Sequence, residues 1–181
     1  GGQHVTNDIA RGLSTPTVQA ERMKTLFGSA VASPSDEREL IDIPSLGEEH
    51  RGGANHVPRS ALTGIIRPRI EEIFEMARDR LESAGYQNFG GRRVVLTGGA
   101  SQLQGTAEVA AHILEKQVRL GRPIDIDGLA ESTAGPAFAT ATGLLKYAAS
   151  GLADRDVGSR DSAHKRIGTL ARVGHWLREN F

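Results

Sequence analysis

Cysteine is absent from the 181 residues. Neither a disulfide framework nor a thiol nucleophile is possible, and a reducing compartment such as the cytoplasm fits best. Aromatics are scarce, at 4%, so Leu, Ile, Val and Ala must build the core. An excess of one charge is lacking too: 22 Lys and Arg balance 22 Asp and Glu. Without a basic surplus to displace counterions from phosphates, nucleic acid is not an expected partner. No run of about 18 apolar residues occurs, so no helix is expected to span a bilayer. GGQHVTND is not a signal peptide, and the abrupt start without Met suggests a fragment or a processed product. The six His form no HxxxH or HExxH pattern, so metal binding has no support. GxSxG and Ser/His/Asp arrangements are missing as well.

What is present is a succession of short periodic segments. Val5, Ile9 and Leu13 recur at i, i+4 and predict a short helix capped by Thr6 or Asn7. TPTVQAERMKTLFG predicts a second helix, begun at Pro16 with Ser14 or Thr15 as cap and stopped by Gly28. Its expected apolar face is Val18, Met23, Leu26 and Phe27. Alternation over residues 36–46, with Leu40, Ile41 and Ile43 against Glu39, Asp42 and Pro44, predicts a strand, and a weaker one is expected over 55–58. Residues 60–84 predict a long helix with Leu62, Ile65, Ile66, Ile70, Ile73, Phe74, Ala77 and Leu81 on one stripe. Pro68 inside it predicts a kink or a restart. VVLT then predicts a buried strand, GGAS a tight turn, residues 103–114 a helix, RPIDI an edge strand and residues 132–149 a final helix. This order of elements points to α/β or α+β layers. Residues 150–162, rich in Gly, Asp, Arg and Ser, read as a flexible linker.

Two local signals bear on chemistry. In VVLTGGASQLQG, Gly98 and Gly99 carry no Cβ, so a base or a ribose can lie against them. The stretch is neither GxGxxG nor a Walker A loop, and an ordinary β–α turn has the same appearance. In AERMK, Glu21 and Lys24 share a helix face. Such a pair can accept from a ribose hydroxyl and donate to a base edge or phosphate, or it can simply be a solvated ion pair. Asp125 and Asp127 of IDIDG would face one side of a strand, as a carboxylate pair or as a polar strand end.

The tail, KRIGTLARVGHWLRENF, sorts by face. At about 100° per residue, Ile167, Leu170, Val173, Gly174, Leu177 and Phe181 fall in one arc, opposite Lys165, Arg172, His175 and Glu179. Trp176, the single Trp, lies at the boundary, where an indole favours the headgroup region. Lys165, Arg166, Arg172 and Arg178 outnumber Glu179. A basic face and an apolar face over a length of about 25 Å describe a helix lying in the plane of an anionic membrane. Each cation near that surface adds about 1 kcal/mol. Basic amphipathic helices also bind partner proteins.

Three stretches taken together, GGQHVTNDIARGLSTPTVQAERMKTLFGSA, RVVLTGGASQLQG and the terminal WLRENF, resemble the C-terminal portion of the FtsA family of bacterial cell-division proteins, within the actin and heat-shock-chaperone ATPase superfamily. The resemblance covers the whole chain and is weakest over residues 30–60. It implies an α/β, actin-like (ribonuclease-H-like) fold of which only subdomains IIA and IIB are here. Residues 1–8 and 92–149 would form IIA, 9–91 the inserted IIB, 150–163 a linker and 164–181 the membrane-targeting helix.

The resemblance also implies ATP with Mg²⁺ in the full-length protein. The adenosine would lie between Glu21, Arg22 and Lys24 on a IIB helix and Gly98, Gly99, Ala100 and Ser101 of the IIA turn. The family's phosphate hairpins and catalytic residues would lie before Gly1, so this stretch would carry half a nucleotide site and no hydrolytic activity of its own. Further implied are self-association into filaments, a peripheral place on the cytoplasmic face of the membrane, and recruitment of FtsZ through its C-terminal peptide. For that acidic peptide the expected contacts are Arg59, Arg67 and Arg69, with Leu62 and Ile66 as apolar anchors; solvated helix charges are the plainer reading of these arginines. A soluble enzyme of the same superfamily, sugar-kinase-like or chaperone-like, shares the glycine turn but has no use for the tail.

Overall fold

A computed structural model describes residues 1–43, 55–86 and 93–150. The expected linker and tail lie outside these residues, apart from Ser150. Five helices and four strands are described, in the order α1 (Gly2–Gly12), α2 (Thr17–Phe27), β1 (Leu40–Ile43), β2 (Asn55–Pro58), α3 (Arg59–Ser83), β3 (Arg93–Leu96), α4 (Thr106–Leu114), β4 (Gln117–Leu120) and α5 (Ala139–Ala149). β1 and β2 pair antiparallel, with Ile41 opposite Val57. β3 and β4 pair parallel, with Val94 opposite Val118, and α4 is their crossover. By packing, Gly1–Ile124 with Leu129–Ala139 form one unit. Among the described residues, Asp125–Gly128 and 140–150 form a second, in which Lys146 donates to the Asp125 carbonyl at 3.4 Å.

The core of the first unit gathers along α3. Leu62, Ile66, Ile70 and Phe74 recur every four residues and are all buried, so they form one stripe along the helix. Val5 and Ile9 of α1, Ala20 and Met23 of α2, Ile41 and Ile43 of β1, and Val109 and Ala110 of α4 complete the cluster. Each large aliphatic side chain buried here contributes about 1.5–3 kcal/mol. Pro68 does not restart the helix, which is continuous from Arg59 to Ser83. Both Pro68 and Gly64, whose carbonyl the proline cannot bond, are exposed, so water can take the bond that is lost.

Several expectations fail for identifiable reasons. α1 begins at Gly2, so Thr6 is an interior helix residue and neither it nor Asn7 is the cap. Pro16 itself occupies the cap position of α2, without a side-chain cap bond. Val18 and Leu26 are 79% and 59% exposed; α2 is buried through Ala20 and Met23, where a small residue lets the helix approach α1 closely. Leu40 is exposed, since strict alternation turns only Ile41 and Ile43 inward. β3 is half-buried rather than buried. α4 starts at Thr106, not 103, after a 3₁₀ turn over Gly99–Gln102. Gly105 precedes it with φ +79°, and a Cβ there would meet Val31 Cγ2 at 2.5 Å. RPIDI is not a strand: Pro123 has no N–H to donate and Asp125 is left-handed at φ +57°. The second strand of the parallel pair is QVRL, five residues earlier. The facing of Asp125 and Asp127 by strand alternation falls with it. Residues 132–149 divide into 3₁₀ turns at Glu131–Thr133 and Pro136–Phe138 followed by α5.

Candidate functional site

The glycine turn is built by backbone geometry. Gly98 has φ +90°, a region closed to most side chains. Its N–H donates to the Pro136 carbonyl at 3.0 Å, and the Ser101 hydroxyl donates to the Gly98 carbonyl at 2.7 Å. Ser101 is itself buried and serves to close the turn. Gly99 follows at an ordinary φ, where an added Cβ would meet only Ala137 Cβ at 3.8 Å.

Opposite it, α2 is joined to α1 by a knot of polar groups. The Lys24 ammonium donates to the Gly2 carbonyl at 3.2 Å, to Thr6 Oγ1 at 2.8 Å and to Glu21 Oε2 at 2.7 Å. An ammonium has three N–H bonds, so Lys24 is fully engaged. Buried Thr6 has one hydroxyl proton, shared between Glu21 Oε2 and the Gly2 carbonyl, both within hydrogen-bond reach. The Lys24 and Thr6 hydrogen bonds hold the Glu21 carboxyl below the usual range.

Between the two lies a cavity of about 610 Å³, lined by Glu21, Lys24, Gly99 and Ala100, together with Gly2, Gln3, Arg59, Gln102 and Gln104. That size suits a small-molecule ligand. Arg22 is exposed on α2 outside this lining, and Gly98 and Ser101 shape the turn behind it. Gly2, Gln3, Gln102 and Gln104 carry no spacing signal, since they are single polar or small residues that only tertiary contact brings to the cavity. Among the described residues no group of three acidic or His side chains is placed to hold a metal ion, and no helix is long and apolar enough to cross a membrane.

The residues expected to meet an acidic peptide have other surroundings. Leu62 and Ile66 are fully buried, so they cannot anchor a peptide without opening the core. Arg59 bonds to Phe27, Glu39 and Gln104 and lines the cavity instead. Arg69 pairs with Asp8 of α1 and with Glu72. Arg67 is exposed and pairs with Glu71 at 2.8 Å. The Arg69 hydrogen bond holds the Asp8 carboxyl low, against an opposing push from burial, and Asp8 in turn raises Arg69.

Comparison with known proteins follows the same lines. The family model described as "Cell division protein FtsA" matches residues 1–143. The FtsA protein of Rhizobium meliloti (strain 1021) is 46% identical over 185 aligned positions, taking in all of this chain and 41% of that protein. That of Escherichia coli (strain K12) is 30% identical, over 99% of this chain and 44% of that protein. The chain thus spans about two fifths of the length of these curated relatives. Among solved structures, MreB5 of Spiroplasma citri bound to ADP superimposes with a TM-score of 0.58 at 15% identity, over 81% of this chain and 44% of that one. Its AMPPNP complex gives 0.57 at 15% identity, over 87% and 46%. At such identity the likeness establishes the fold, which is actin-like.

Both depressed carboxyls, Asp8 and Glu21, stabilise the fold above the ordinary carboxylate value near 4, and that stability is lost as pH falls through their lower folded values. Glu21 is half exposed, so solvent screening makes its share the smaller. Thermal melts of Asp8→Asn/Glu21→Gln are therefore expected to sit about 2–4 °C below the parent at pH 7, with the gap narrowing progressively as pH is lowered below about 4. A gap that stayed constant as pH fell would show that these carboxylates do not carry the linkage.

Proposed function

Since the chain belongs to the FtsA family of cell-division proteins, we propose that it forms the nucleoside-holding and membrane-binding part of an actin-like tether for the division ring. The observation that carries the first half is the cavity that joins Glu21 and Lys24 to Gly99 and Ala100. A glycine wall suits the flat face of a base or ribose. The bonds to Glu21 from Thr6 and Lys24 both fall on Oε2, so Oε1 can accept from a ribose hydroxyl. Lys24 orients Glu21 rather than reaching for phosphate, because all its N–H bonds are spent on α1 and Glu21. The ADP-bound and AMPPNP-bound MreB5 structures support the same ligand class. ATP bound here would be held through its nucleoside by Glu21, Gly99 and Ala100 and would bring its phosphates with it. Mg²⁺ would arrive with those phosphates, since no metal cluster of this chain's own is found among the described residues. In this reading residues 1–8 and 92–149 act as subdomain IIA and 9–91 as IIB, although α1 runs unbroken through residue 8.

The second half rests on the sequence of residues 164–181. Its basic, Trp-bearing amphipathic pattern suits the cytoplasmic leaflet at the division site, and the Rhizobium alignment extends through it. FtsZ recruitment by the inserted lobe and self-association into filaments belong to the same proposal. Arg67 is the residue of the expected peptide-binding set that remains exposed.

Two measurements test these halves separately. In the gene-encoded protein, Gly99→Ala fits the fold without a clash. It is expected to weaken binding of a fluorescent ATP analogue about tenfold, equal to about 1.4 kcal/mol, with no change in Tm. Unaltered affinity would remove the glycine wall from the site. Deleting residues 164–181 is expected to abolish co-sedimentation with phosphatidylglycerol-containing vesicles, and added salt is expected to weaken the parent's binding. Equal pelleting with and without the tail would sink the tether.

A further inference from the structure

Arg59, the first residue of α3, has a guanidinium that is only 20% exposed. Its Nε donates to the Phe27 carbonyl at 2.9 Å, Nη1 to Glu39 Oε2 at 3.0 Å and Nη2 to Gln104 Oε1 at 3.1 Å. The Asp36 carboxylate lies 3.8 Å away; it is 98% buried, and its Oδ1 has no hydrogen-bond partner. A carboxylate so placed needs a nearby cation. Phe27 ends α2, so its carbonyl is one of the unpaired acceptors at the negative end of that helix. Gln104 lies two residues past the end of the 3₁₀ turn, and its own carbonyl accepts from the Ala30 N–H at 2.8 Å. One planar group thus reaches both walls of the cavity. The α2 wall is held through Phe27, one helical turn beyond Lys24. The glycine wall is held through Gln104, five residues beyond Gly99.

We propose that Arg59 is the positioning residue that fixes the spacing between the α2 wall and the glycine-turn wall, and that Gln104 is its partner on the glycine side. Lysine cannot replace it, because a single ammonium lacks the rigid fork that addresses three directions at once. The role is distinct from peptide binding, for which Arg59 has no free face. It rests on the nucleotide reading above, in that the spacing it fixes is the width available to the nucleoside.

The test uses Arg59→Lys, Gln104→Ala and the double variant of the gene-encoded protein. Binding of a fluorescent ATP analogue and amide hydrogen exchange over residues 24–31 and 98–104 are measured. Gln104 is exposed, so its truncation leaves the fold intact and decides the matter even where Arg59→Lys folds poorly. Each single variant is expected to weaken binding about tenfold, and the double no more than Arg59→Lys alone, since both remove one link. Exchange over 98–104 is expected to quicken in both. A lower Tm in Arg59→Lys with unchanged affinity and unchanged exchange over 98–104 would overturn the proposal and leave Arg59 a brace of its own lobe. If the parent protein bound no analogue, the nucleotide reading would fall. The latch would then stand or fall on whether 98–104 loosens in both variants.

Discussion

The stripe Leu62, Ile66, Ile70 and Phe74 is the constraint on which the rest of the first unit depends. These four side chains can leave water only if α1, α2, β1 and α4 all close on the same helix. Three of the four are aliphatic, and close packing of such side chains tolerates little displacement. Once α3 is enclosed, its first residue, Arg59, is set beside the end of α2 and the start of the α4 connection. The cavity lies where α1 and α2 on one side and the glycine turn on the other meet beside that stripe, with Ile70 in its lining.

The polar groups around the cavity follow from the same closeness. Ala20 lets α2 approach α1, and that approach buries Thr6 and most of Lys24. Groups so buried must find partners, and they find one another: Thr6, Glu21, Lys24 and the Gly2 carbonyl. Glu21 keeps its charge because two donors hold it, and it is this fixed carboxylate that gives the cavity a defined acceptor. A nucleoside clamp needs few atoms of this kind, provided that their spacing is held, and Arg59 with its planar set of donors can hold it.

Much of this was legible in the sequence because periodicity and glycine placement report directly on backbone and burial. The α3 stripe, the β1–β2 pair and the strand–glycine turn–helix unit needed only the apolar spacing and Gly98–Gly99 to be read. The resemblance to FtsA then joined AERMK to the turn. What was not legible depended on tertiary contact. The apolar spacing puts Leu62 and Ile66 on the α3 stripe, but only the packing shows that the stripe is sealed inside the core and not open to a peptide; nothing in the spacing says that Val18 is exposed and Ala20 is not. Arg59 read as a surface charge because its three acceptors come from segments up to 45 residues away. QVRL was passed over for RPIDI because two charged or polar positions in four hide a strand whose order comes from its parallel neighbour.

The central claim is that one nucleoside lies between α2 and the glycine turn. Photo-crosslinking the gene-encoded protein with an azido-adenine ATP analogue, followed by peptide mapping, addresses it most directly. Label is predicted in peptides containing Glu21–Phe27 and Gly99–Gln104, and excess ATP should remove it from both. Label that avoided both segments, or that ATP failed to displace, would contradict the clamp.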